Sequence, residues 1–144
     1  MKVKGLITIS LNGEVVRKIK NTITNAGLAQ VALLSGDAAA VPFTYLALGT
    51  GTTGAAAGDT TLETETSASG LARASAAVTQ VTTTETDDTS QLLKAFTAGA
   101  SVAVTECGIL NASSAGTLLG RQVFAAVNVV SSDVLTITYQ VAFA

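Results

Sequence analysis

Apolar and polar residues alternate with a period of two over most of this chain, the spacing of strands with one face turned to a core. Residues 3–11 alternate around Leu6-Ile7-Thr8-Ile9, Asn12-Gly13 is a strong type I′ turn signal, and residues 14–20 continue with Val15, Val16 and Ile19, which predicts an N-terminal hairpin. The period then changes. Thr24 or Asn25 can cap a short helix near residues 24–35, with Leu28, Val31, Ala32 and Leu34 as a narrow stripe and Gly36 at the stop, and this stripe is expected to pack on a sheet. The single Pro42 leads into a strand carrying Phe43, Tyr45 and Leu46, followed by glycines, threonines and alanines. Residues 71–84 read as one long strand that ends in the acidic turn Glu85-Thr86-Asp87-Asp88, with residues 91–96 returning antiparallel. Residues 102–111 and 117–124 flank the turn at 112–116. After Ser131-Ser132-Asp133, the last strand, 134–143, alternates strictly at Leu135, Ile137, Tyr139 and Val141. Turn signals every ten or so residues predict an antiparallel sandwich or barrel with no helix after residue 36.

A chain of 144 residues reads as a single domain with an adequate core. Charged residues make up only 12% of it against a usual share near 25%, while apolar residues reach 48% and mean hydropathy is +0.49. Either other protein chains cover part of so poorly charged a surface, or Ala, Thr and Gly form an inert one. The net charge of −2 argues against a general nucleic-acid binder. Five of the eight basic residues nevertheless lie in the first twenty positions: Lys2, Lys4, Arg17, Lys18 and Lys20. They make residues 1–20 a basic hairpin that serves either as a lysine-guarded sheet face or as an arm docking on an acidic protein surface.

The chain has no histidine and one cysteine, which removes imidazole general bases, His metal ligands and Ser-His or Cys-His nucleophile pairs. Cys107, inside the apolar run 104–110, reads as a small buried hydrophobe. Asp87-Asp88 is the one tight acidic pair; on a polar turn it reads as solvent-facing, without the environment a general acid needs or the spacing of a calcium loop. No apolar run has the length of a signal peptide or membrane span, so the product is expected to stay where it is made unless an assembly carries it out. No cofactor, metal or catalytic residue is expected.

Gly49, Gly51 and Gly54 spell G-x-G-x-x-G directly after a strand, the outline of a dinucleotide loop. That motif requires its third glycine to open a helix, and Ala55-Ala56-Ala57-Gly58 is too short for one. The P-loop form fails as well, because no Lys-Ser or Lys-Thr follows. A structural loop is the better reading.

The order N-x-I-T-N-A-G-L at 21–28, F-T-Y-L-A-L-G-T-G-T-T at 43–53, D-T-T-L-E-T-E at 59–65, T-E-C-G-I-L at 105–110 and G-T-L-L-G-R-Q-V-F at 116–124 resembles a group of small structural proteins of tailed bacteriophages. The resemblance covers nearly the whole chain. One departure is that many relatives place an Arg after the Glu at the end of the third motif, where here Arg73 comes later. The resemblance implies a mainly β, jelly-roll-like antiparallel β-sandwich in the virion, made in the bacterial host cytoplasm, with no catalytic residues. The leading expectation is a capsid decoration (cement) protein on the major capsid protein, a homo-oligomer, trimer or dimer, docking through Lys2, Lys4, Arg17, Lys18 and Lys20. The alternative is a tail-fibre, baseplate or tail-tip module among other tail proteins, presenting the glycine loop or the 85–89 turn to the host surface. Nucleic-acid and membrane partners are not expected.

Overall fold

A computed structural model describes residues 2–144. The elements in chain order are β1 (Val3–Leu11), β2 (Glu14–Ile23), α1 (Asn25–Leu34), β3 (Tyr45–Gly49), β4 (Ala74–Ser75), β5 (Ala77–Val81), β6 (Thr89–Thr97), β7 (Val102–Leu110), β8 (Leu118–Val129) and β9 (Val134–Phe143). The fold is mainly β and fully antiparallel, with strand order β4-β3-β7-β8-β2-β1-β9-β6-β5.

Two corner strands turn this ribbon into a sandwich. β2 pairs with β1 from Glu14 to Asn21 and then, at Thr22 and Ile23, with Arg121 and Gly120 of β8. At the far side, β4 pairs with β3 while β5 pairs with β6, and only Ala76 separates the two segments. Both ends of the strand order are thus consecutive in the chain, and the sheet nearly closes on itself. The expected single strand over residues 71–84 is therefore two short ones. Ala76 leaves the ladder to donate its N–H to the Thr44 carbonyl (2.8 Å), and Leu71 is buried before β4 begins. Gly70, at φ +73°, permits the preceding turn, because a Cβ there would strike the Thr97 carbonyl.

The front layer (β5, β6, β9, β1, β2) contributes Ile7, Ile9, Leu92, Phe96, Leu135, Ile137, Tyr139 and Val141 to the core, with the predicted alternation of β1 and β9 intact. The back layer faces them with Leu46, Leu48, Val104, Cys107, Ile109, Leu119, Phe124, Val127 and Val129. The β1–β2 hairpin lies in the middle of the strand order, between β8 and β9.

Thr24 caps α1 as its pattern predicts, its side chain accepting from Gly27 N–H (2.9 Å) and donating to the Leu118 carbonyl. The expected stripe packs only in part: Val31 lies against the core, whereas Leu28, Ala32 and Leu34 stay exposed. Gly27 is the only fully buried helix residue, set against the β8 backbone where a Cβ would come within 2.6 Å of Leu119 Cα, while Leu28 and Leu33 remain 44% and 51% exposed. Docking runs through a glycine, so the helix lies close to the sheet and its larger side chains pass to either side of the contact.

Candidate functional site

β7 is buried on both faces from Val104 to Leu110, which is unusual for the layer of a two-layer sandwich. One face meets the core. Over the other lies the chain between β3 and β4: residues 50–64 leave the sheet at Gly49 and return where Glu65 bridges Gly49 and Thr50 N–H reaches the Thr64 carbonyl (2.9 Å), the closed ends of an Ω-loop. Leu62 plugs this loop into a small second cluster with Ala47, Leu110 and Leu118. It fits because Gly108 beneath it has no Cβ, which would otherwise lie 2.7 Å from Leu62 Cδ1.

The loop is held by a charge network that sequence reasoning did not single out. Glu106, fully buried, projects from β7 beneath the glycines. Its Oε1 accepts Gly51 N–H (3.1 Å) and Thr64 N–H (2.7 Å), and its Oε2 accepts Glu63 N–H (3.1 Å) and Arg121 Nε (2.8 Å). Arg121, 3% exposed on β8, also donates to Asp59 Oδ2 (2.8 Å) and to the Thr53 carbonyl (2.9 Å), and lies 3.6 Å from Glu63 Oε2. Thr105 Oγ1 donates to the Gly51 carbonyl (2.6 Å). The convergent backbone N–H groups that an anion-binding glycine loop would offer to phosphate are thus occupied by a carboxylate of the same chain. Two glycines of the motif serve this contact. A Cβ on Gly49 would collide with Glu106 Oε1, and one on Gly51 would sit 2.6 Å from it; nothing lies within 4 Å of the Cβ position on Gly54.

Burial opposes the charge on Arg121, but Glu106 and Asp59 outweigh it and hold its pKa above the usual value. The Ala56 N–H, with help from Arg121, draws the Asp59 carboxyl below its ordinary value, and the N–H and hydroxyl of Thr53 do the same for Glu63. A second clamp closes the loop's exit. Arg73 pairs with Glu65 through two 2.7 Å hydrogen bonds and donates to the Ala112 and Ala115 carbonyls of the β7–β8 turn, so the displaced arginine still reaches its glutamate.

The other sequence-singled residues fall elsewhere. Lys2, Lys4, Lys18 and Lys20 are exposed, whereas Arg17 reaches across the gap where β2 and β8 diverge and donates to the Ala125 (3.1 Å) and Ala126 (3.0 Å) carbonyls. Cys107 is fully buried, and burial pushes its thiol far above the ordinary value. Asp88 does have a pKa-shifting environment, contrary to expectation, but in the acid-strengthening direction. It accepts from Glu85, Thr83 and Thr84 N–H groups and from the Thr83 and Thr89 hydroxyls, which hold it well below the usual range.

Every buried charge in this arrangement is spent on another part of the chain, and the loops are clamped down onto the sheet. Comparison with protein families gives the class: the chain is a phage structural protein. The family model described as Podophage GP4 fiber I protein gp80 matches residues 18–141, and the chain belongs to this Gp80 family. No curated protein and no solved structure matches it.

Proposed function

We propose that the chain is a non-enzymatic structural module of a phage tail fibre, associating with other virion proteins. The observation that supports this reading is the family match over residues 18–141, whose description speaks of a fibre protein. The clamped architecture agrees with it: a fibre must transmit force without changing shape, and here the longest excursion from the sheet is fastened by Glu106, Arg121 and Arg73. The capsid-decoration reading draws on low charge and exposed hairpin lysines, which a fibre module shares, so it carries no weight of its own. Gold-labelled antibody against the chain, applied to particles of the source phage, tests the assignment. Label confined to the tail appendages is expected; label spread over the shell would replace the fibre reading with capsid decoration.

A further inference from the structure

The front layer's outer face has a recess of about 540 Å³, within the size range of small-molecule sites. Its walls come from the ends of four strands. Lys4 and Leu6 stand on β1, Lys20 on β2 opposite Leu6, Gln140 and Ala142 on β9, and Thr89 on β6 opposite Ala142. Thr83, bonded to Thr89 through their hydroxyls (2.8 Å), closes the far side. Among the described residues no acidic side chain lines this space; Asp88 stands behind the wall, bonded to both threonine hydroxyls.

Three features give the recess a preference. Lys4 and Lys20 occupy diagonal positions on adjacent antiparallel strands, about 7–8 Å apart at the backbone, so one ligand can meet both ammonium groups. Among the described residues the ion pairs are made by Arg73 and Arg121, which leaves neither lysine neutralised by an acid. Leu6, Ile23 and Ala142 add apolar wall and Gln140 adds a hydrogen-bonding amide, while the hydroxyls of Thr83 and Thr89 are already committed to Asp88 Oδ1 (3.0 and 2.8 Å).

We propose that this recess binds a hydroxylated organic anion of about monosaccharide size, its carboxylate or phosphate held between Lys4 and Lys20 and a hydroxyl by the Gln140 amide. The paired cations select the charge, the apolar wall selects an organic body over a bare ion, and the amide selects a hydroxyl. The site is independent of the fibre assignment, since it needs only this face of the front layer.

The test is a titration of the full-length, isotope-labelled chain, followed through its amide resonances, with glucuronate, glucose 6-phosphate, glucose and inorganic phosphate. Saturable shifts confined to residues 3–6, 20–23, 89, 140 and 142 are expected for at least one acidic sugar by about 10 mM, and weaker ones for glucose and for phosphate alone. Response to glucuronate only would assign the carboxylate, and response to glucose 6-phosphate only the phosphate. The Lys4→Ala, Lys20→Ala double variant should weaken binding about tenfold or more, while Lys2→Ala, Lys18→Ala, with the same charge loss outside the recess, should retain it. Equal response to glucose, shifts spread over all lysines, undiminished binding by the first variant, or no shift at all would each overturn the site. So would a loss of virion-protein binding on removing Lys4 and Lys20 without any sugar response, because the lysines would then serve protein docking.

Discussion

A carboxylate decides the conformation of the glycine loop. Among the described residues Glu106 alone gathers the Gly51, Glu63 and Thr64 N–H groups at one point, and Arg121 neutralises it where the carboxylate is fully buried. Removing one partner of such a pair leaves the other charge buried alone. Glu106→Ala should therefore cost about 3–5 kcal/mol in urea unfolding, and a Glu106→Leu, Arg121→Met double variant should lose clearly less than the sum of its two single changes. An additive double variant would mean that the two side chains act independently. The glycines divide by the same contact. Gly51→Ala forces a methyl against Glu106 Oε1 and should cost roughly 1–3 kcal/mol, whereas Gly54→Ala, with open space at its Cβ, should stay within about 0.5 kcal/mol. A nucleotide loop would show no such division, since its third glycine is needed for helix packing.

At the level of elements, α1 is secured chiefly at its first turn, with Val31 against the core and Gln30 on the Val41 carbonyl as lesser ties. Thr24 is fully buried, satisfies Gly27 N–H and donates to β8 through the Leu118 carbonyl, so its hydroxyl joins cap and sheet. Thr24→Ala should destabilise the chain by about 1–2 kcal/mol, since the lost cap also strands a buried carbonyl. Leu33→Ser, at the exposed far end of the same helix, should change stability by no more than about 0.5 kcal/mol. Thermal unfolding of the two variants would separate these cases; a larger loss for Leu33→Ser would show that the far end of the helix is packed and not free. The corner strands behave likewise. Each is specified by where its ladder changes partner, at Thr22 for β2 and at Ala76 between β4 and β5.

For the whole molecule, acid is the informative perturbation. Asp59, Glu63, Asp88 and Asp133 are all shifted downward, chiefly by hydrogen bonds they accept: from Ala56 for Asp59, Thr53 for Glu63, Glu85 for Asp88, and Asn12 for Asp133. Their ordinary values, 3.8 for Asp and 4.5 for Glu, apply to the unfolded chain. As pH falls past those values the unfolded state takes up protons first, so the contribution of these groups is complete above them and lost below. Stability should be nearly flat from about pH 7 to pH 5 and should drop below about pH 4.5. Asp88→Asn should lower stability at neutral pH, with the gap to the parent chain narrowing as the parent's own Asp88 protonates in acid. A gap that stayed constant down to the acid transition would show that Asp88 contributes by packing and not by charge.

The sequence by itself determined most of the strands, the first hairpin, the capped helix and the antiparallel class, because these depend on period-two alternation and on turn and cap residues that act over a few positions. Charge scarcity held a further signal: Glu106 and Arg121 each interrupt an apolar strand run, and opposite charges in two such runs mark a buried pair. Which runs become neighbours is not local, and tertiary structure alone decided it. Pairing β7 with β8 put the glutamate and arginine on one face, and the loop then folded onto them because its own N–H groups satisfied the carboxylate. The same non-local pairing split residues 71–84 between two layers, left the apolar helix stripe half outside, and drew Arg17 to the β8 carbonyls while the four hairpin lysines stayed in solvent. A period of two tells a strand which way its side chains point; only its partners tell it what lies on each side.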